Sequence, residues 1–270
     1  MVVRRRKGLC VEVVVLDSEA ARASLVADAV VALVDQRPTA VLGLATGSSP
    51  TPVYAELVRR HQAGTVSFAR ASAFTLDEYL GLAPDHPQGY RHVIEREFTS
   101  RVDLSADHLH TPDGQTDDVP GACAAYERLI ADAGGVDLQL LGIGSDGHLA
   151  FNEPGSSLAS RTRVKTLTPQ TRQDNARFFA SVDDVPHHVL TQGLGTILEA
   201  RHLVMLATGE GKAEAVRQAV EGPVTAMCPA SALQMHPHVT VVLDPGAAAR
   251  LRLRDYYDQV WADKPDWQGV

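Results

Sequence analysis

The sequence predicts an α/β fold: a single open, mostly parallel sheet with helices on both faces, Rossmann-like in layout. Two observations carry this. Short apolar or β-branched runs alternate with helical stretches along most of the chain, and polar, glycine-bearing or acidic segments follow strands at 46–50, 77–79 and 144–154. Alternating strands and helices build parallel sheets covered on both sides. Ligands in such sheets bind beyond the carboxyl ends of the strands, so the three segments share one expected location.

Residues 11–16 are β-branched and short, hence a strand. Asp17-Ser18 offers an N-cap to an alanine-rich helix running to Val34. Residues 40–44 read as a second buried strand, ending in Thr46-Gly47-Ser48-Ser49-Pro50, with Pro52 in the first turn of a helix reaching His61. A strand at 72–76 places Asp77-Glu78-Tyr79 at its end. Helices are expected at 88–98 and 121–133, and a strong strand at 136–143 runs into Gly144-Ser145-Asp146-Gly147-His148. The polar stretch 156–184 suits a lid excursion. A helix (191–199), strand (202–207), helix (212–220) and strand (239–243) complete the series. The sequence has no internal repeat, low-complexity tract or linker, so residues 1–270 are expected to form one domain.

The hydrophobic fraction of 44% supplies a sizeable core, and the formal net charge of −8 argues against a nucleic-acid binder. Cys10, Cys123 and Cys228 are sparse and lack CxxC spacing, which suits reduced thiols and a cytoplasmic setting. The basic Arg4-Arg5-Arg6-Lys7 precedes an apolar stretch that is short and interrupted by Glu12, so it reads as a terminus leading into the first strand. No run approaches the roughly 20 apolar residues of a membrane span.

The turn at 46–50 joins a strand to a helix, where free N–H groups and the dipole attract anions; a plain turn with a serine cap is the alternative. At Asp77-Glu78, neighbouring strand residues point to opposite faces, so one carboxylate enters the cleft. Desolvation there would raise its pKa and suit a general base; otherwise the pair is a surface turn. The segment 144–154 sets His148 between Asp146 and Glu153, and carboxylates can fix an imidazole's tautomer and raise its basicity. A satisfied loop histidine is the alternative. For metals, His108-x-His110, His187-His188 and His236-x-His238 lack nearby acidic ligands in a fitting pattern, and no metal is expected.

Together, Thr46-Gly-Ser-Ser-Pro50, Leu76-Asp-Glu-Tyr-Leu-Gly-Leu82, Gly144-Ser-Asp-Gly-His148, Phe151-Asn-Glu-Pro154 and Ser157-Leu-Ala-Ser-Arg-Thr-Arg-Val-Lys-Thr-Leu167 resemble the glucosamine-6-phosphate deaminase family, in order and spacing, from about the second strand to the last. The wider relatives, such as 6-phosphogluconolactonases, are less similar over these motifs.

The resemblance implies conversion of glucosamine 6-phosphate and water to fructose 6-phosphate and ammonia without a cofactor. It gives His148 the opening of the sugar ring, Asp146 and Glu153 its orientation, and Asp77 the proton transfer between C2 and C1. Phosphate contacts would come from Thr46, Gly47, Ser48 and Ser49 (serine at 49 standing where threonine is usual) with Arg177 and Lys212. Some members are hexamers activated by N-acetylglucosamine 6-phosphate; the residues matching that effector site are Ser156, Arg163, Lys165 and Thr166. A homo-oligomer, with a hexamer favoured, is expected on the same ground. A contributing C-terminal tyrosine, Tyr256 or Tyr257, is not placed by the local spacing. Two other readings are a sugar-phosphate sensor, which would need no Asp77–Asp146–His148–Glu153 set, and lactone hydrolysis, which has no C2 proton to move.

Overall fold

The computed structural model describes residues 10–265; the basic run Arg4–Lys7 lies outside the described residues. Seven parallel strands form the main sheet. In chain order these are β1 (Cys10–Val15), β2 (Val41–Leu44), β3 (Ser72–Thr75), β5 (Leu109–His110), β6 (Leu138–Leu141), β9 (Leu203–Ala207) and β10 (His238–Leu243). Their spatial order is β1-β10-β9-β6-β2-β3-β5. Every residue of β2, β6 and β9 is buried, as expected of strands covered on both faces.

The helices obey local signals. In α1 (Glu19–Gln36), Ser18 accepts the Ala21 N–H, and Ala23, Val26, Ala27, Val30 and Val34 form one buried stripe. In α4 (Val119–Asp132), Asp118 accepts the Gly121 N–H and Pro120 sits in the first turn, where its missing N–H costs nothing. Behind the site, α2 (Thr51–Gln62) is tied to the end of β2 by Tyr54. Its buried hydroxyl donates to the Ala45 carbonyl at 2.7 Å and accepts the Ala45 N–H at 3.1 Å. The remaining helices are α3 (Tyr90–Glu97), α5 (Pro169–Asn175), α6 (Leu194–Ile197), α7 (Ala213–Glu221) and α8 (Arg254–Ala262).

The single sheet expected from sequence needs a correction. β4 (Asp77–Tyr79), β7 (Arg163–Thr166) and β8 (His188–Thr191) form a second, antiparallel sheet ordered β4-β8-β7. β3 and β4 are therefore separate strands, and Asp77 opens the second one rather than trailing the first. β7 lies inside the segment read as a lid, and β8 ends where a helix was expected to begin. These strands are three or four residues long, too short for periodicity to separate strand from loop. The helix starts later, at Leu194. Gly193 abuts Ser160 so closely that a Cβ there would stand 2.0 Å from the Ser160 carbonyl oxygen.

Most buried apolar residues pack against the main sheet, while Tyr79, Phe151, Leu167, Val185 and Val189 form a smaller cluster around the second one. Among the described residues, no helix is long and apolar enough to cross a membrane.

Candidate active site

The turn after β2 presents its backbone outward. Gly47 adopts φ +109°, a conformation that strains any residue bearing a Cβ, and Thr51 Oγ1 donates to its carbonyl at 3.0 Å. Pro50 occupies the N-cap of α2 and no side chain caps the helix, so the serine-cap alternative does not hold. Hydroxyls of Thr46, Ser48 and Ser49 therefore stand beside a helix N-terminus without a capping side chain, an arrangement suited to an anion.

Asp77 and Glu78 part company as the pleat requires. Glu78 turns to the N-terminus of α3, accepting N–H groups from Tyr90 and Arg91 as well as Tyr79, each at 2.9 Å. Asp77 is 6% exposed. Burial, followed by the neighbouring Glu78 charge, pushes its pKa up to about 8, against a lowering pull from His148. Glu78 is a cap and Asp77 is the carboxylate available for chemistry.

The loop after β6 is folded tightly around His148. Gly144 donates to the His148 carbonyl at 2.9 Å, and a Cβ on Gly144 would stand 2.3 Å from the imidazole. Gly147, at φ +88°, packs on buried Cys228. Residues 226–230 brace the loop at both ends: Ala230 N–H donates to Gly147 O at 2.9 Å, and Gly155 N–H donates to Ala226 O at 2.8 Å. Between these ties, His148 Nδ1 lies 2.7 Å from Asp146 Oδ1 and 3.5 Å from Glu153 Oε2. The Asp146 contact is close but bent, an ion pair rather than an aligned hydrogen bond. Burial works to lower the His148 pKa, but the two carboxylates outweigh it and raise it to about 9. The same pairing holds Asp146 well below the usual carboxylate range. Glu153 reaches α5, where Thr171 donates to its Oε1 at 2.8 Å.

Asp146, His148 and Glu153 also bring ligand atoms within 4.8 Å of one another, as a cation site would require. One nitrogen and two carboxylates are a possible donor set, but a metal would have to displace the proton that this same set stabilises on His148. Of the histidine pairs noted in the sequence, His108 and His236 are engaged by backbone carbonyls. His236 contacts the carbonyls of His238 and Ala200 through its two nitrogens, His108 contacts that of Ala71, and the His187 and His188 rings sit 6.4 Å apart.

Lys212 ends the short turn 210–212 just before α7, in the loop after β9. That loop approaches the phosphate-type turn, since Thr208 lines one small cleft with Ser48 and Ser49. Its entry is fixed by Asp244, whose two carboxylate oxygens both accept the Gly209 N–H at 3.0 Å. Arg177 stands apart from this group: it lies exposed in the short turn 176–178, its guanidinium 4.7 Å from the Phe178 ring centroid.

Of the four residues matched to an effector site, Arg163 and Lys165 share one face of β7, the edge strand of the second sheet. Thr166 alternates onto the opposite face, so its side chain does not join theirs. Ser156 is buried with an unpartnered Oγ. Tyr256 is exposed, whereas Tyr257 packs on the main core.

Sequence reasoning missed Thr171, the 226–230 brace and the Glu78 cap. Each depends on a contact between segments remote in the chain, for which no local signal exists.

A family profile described as glucosamine-6-phosphate isomerases/6-phosphogluconolactonase matches residues 17–242. The chain is 63% identical over 260 residues to a glucosamine-6-phosphate deaminase of Mycolicibacterium smegmatis, and 62% identical over 259 residues to one of Arthrobacter sp.. Each alignment spans 96% of this chain and 100% of the relative. A solved structure described as a monomeric glucosamine-6-phosphate deaminase of the NagB superfamily superposes with a TM-score of 0.86 at 42% identity, over 88% of this chain and 99% of that one.

Proposed function

Since this chain belongs to the glucosamine-6-phosphate isomerase/6-phosphogluconolactonase family, we propose that it converts glucosamine 6-phosphate and water to fructose 6-phosphate and ammonia. The observation that carries this reading is the buried Asp77, set near the His148–Asp146–Glu153 cluster. Lactone hydrolysis has no carbon-bound proton for Asp77 to move; aldose–ketose isomerisation does.

The sugar phosphate would sit with its phosphate on the 46–49 turn and Lys212, with Arg177 brought in by the lid. His148, held protonated, gives a proton to the ring oxygen as the C1–O5 bond breaks, while the C1 hydroxyl releases its proton to water and becomes the aldehyde. Asp77 takes the C2 proton of the open chain while the aldehyde oxygen gains one, forming an enolamine. The proton returns at C1 and the nitrogen loses one, leaving a ketimine at C2. Water adds there and ammonia departs. The substrate's own aldehyde and nitrogen supply the electron sink, so the chain's residues need only place and move protons.

This assignment has a pH signature. The base must be ionised, and Asp77 ionises only as pH passes about 8; the acid must be protonated, and His148 loses its proton near about 9. The profile of kcat/KM, corrected for ionisation of the substrate, should therefore rise through the first value and fall through the second. A plateau extending down to pH 6 would contradict the assignment of Asp77 as the base.

Within the same reading, the enzyme acts in cytoplasmic amino-sugar catabolism, and N-acetylglucosamine 6-phosphate is its activator, binding at Ser156, Arg163 and Lys165, with the Thr166 side chain turned to the other face of β7. Support comes from the half-buried Arg163, which burial makes less basic and which has no carboxylate ion pair among the described residues. The unpartnered hydroxyl of Ser156 adds a second group suited to an anionic ligand. A hexamer is the assembly proposed with the activator, although a relative 42% identical is described as monomeric.

One experiment addresses both levels. Ammonia and fructose 6-phosphate are assayed from glucosamine 6-phosphate with and without N-acetylglucosamine 6-phosphate, alongside sedimentation. Equimolar products are expected, with a sigmoidal curve made hyperbolic by the activator. Absence of both products would overturn the reaction; hyperbolic, activator-insensitive kinetics from a monomer would overturn only the regulation.

A further inference from the structure

We propose that Arg22 is an additional cation of the phosphate subsite, gripping the phosphate end of the substrate from the side of α1; this rests on the phosphate reading of the 46–49 turn. Arg22 lies in the first turns of α1 and is 8% exposed. Its Nη1 donates to the carbonyls of Leu16 at 2.5 Å and Asp17 at 3.0 Å, which fixes the plane of the guanidinium. Among the described residues no carboxylate forms an ion pair with it, and Nε and Nη2 have no hydrogen-bond partner. A charge so deeply buried normally has a counter-ion.

Its surroundings indicate which counter-ion is missing. Arg22 lines the small cleft shared with Ser48, Ser49 and Thr208, which sets this residue beside the turn assigned to phosphate and the loop leading to Lys212. The N-terminal turns of α1 and α2 both border that cleft, and both dipoles favour an anion there. A planar fork with two nitrogens to spare matches two oxygens of a phosphate monoester. In a chain of net charge −8, such local cations are needed to attract a dianion at all. Glu19 also lines the cleft, exposed at the start of α1, and opposes the anion. The arrangement is open to a simpler account, in which Arg22 merely ties down the two carbonyls that follow β1.

Arg22→Met and Arg22→Lys separate the two. Steady-state kinetics would be run on the full chain with inorganic phosphate as competitive inhibitor, and melting would be followed with and without phosphate. Loss of a charge-assisted contact should raise KM and the phosphate Ki together by about tenfold in the methionine variant, the change falling on KM rather than kcat. Lysine should restore part of the loss, and the phosphate-induced rise in Tm should shrink in step. An unchanged Ki and an unchanged phosphate-induced rise, with a lower Tm, would leave Arg22 a structural tie and overturn the proposal.

Should the methionine variant fail to fold, Arg22→Lys and Glu19→Gln decide. The lysine should weaken phosphate binding, and removal of the opposing Glu19 charge should tighten it, each by about two- to fivefold at low salt. No change in either overturns the proposal. If the unmodified enzyme released no ammonia, the proposed reaction would fall, while the phosphate-dependent melting would still test Arg22.

Discussion

Asp77→Asn is expected to lower kcat for glucosamine 6-phosphate by about 10²–10⁴-fold while leaving sugar-phosphate affinity nearly intact. Asparagine keeps the shape of the side chain but cannot take the C2 proton. The stability of the variant supplies an independent check. The folded-state pKa of Asp77, about 8, lies above the ordinary carboxylate value because burial disfavours the charge. Such a group stabilises the fold fully at pH below its unfolded value, and that contribution is lost as pH rises towards about 8. The asparagine variant has no charge to bury, so its Tm should exceed the parent's by a margin that grows across this window. Retained turnover would remove Asp77 from proton transfer. A Tm that falls below the parent's at alkaline pH would mean that the fold favours the anion, against the burial argument.

His148→Gln should cost about 10²–10⁴-fold in turnover of the ring-closed substrate, since it removes the acid that opens the ring. Substrate supplied transiently in open-chain form should be deaminated with a much smaller deficit; equal inactivity toward both forms would refute the ring-opening role. Here too the pH dependence has a definite sign. The folded pKa of His148, about 9, lies above its ordinary value, held there by Asp146 and Glu153. Its contribution to stability is full below the unfolded value of about 6.5 and fades as pH climbs through about 9. Destabilisation of the glutamine variant should therefore be greatest in mild acid and vanish in alkali. In the variant, Asp146 and Glu153 would face each other without the intervening cation, adding like-charge repulsion to the loss.

The two arguments draw on different kinds of legibility. His148 and its carboxylates are close in sequence, within a stretch of eight residues, and the glycines that let the loop fold around the ring, Gly144 and Gly147, stand just before and within it. Their grouping could be expected before any coordinates. Asp77 was legible only as one of two adjacent carboxylates. The pleat predicted that they would separate, but which of them stayed in the cleft depended on α3 arriving to engage Glu78. Arg22 carried no signal at all: one arginine in an alanine-rich helix is ordinary until Ser48 and Thr208 are seen across the cleft from it.

The parallel sheet, its helices and the phosphate-type turn are local in origin, arising from unbroken apolar runs, capping residues and glycine or proline at strand ends. Sequence alone determined these, because the physics that produces them acts over a few residues. It also brought forward the candidate reacting groups, whose proposed roles come from the family resemblance. The second sheet, the brace from residues 226–230 and the hold of α5 on Glu153 through Thr171 were decided by tertiary structure. In each, the partners are separated by many residues and the free energy comes from pairing rather than from propensity. Three- and four-residue strands have little preference of their own, and they become strands only where another strand satisfies their backbone groups. Burial acts on the protonation states in the same non-local way: the adjacent Glu78 contributes, but Asp77 is pushed up to about 8 chiefly by the packing around it, whose extent only the tertiary structure sets.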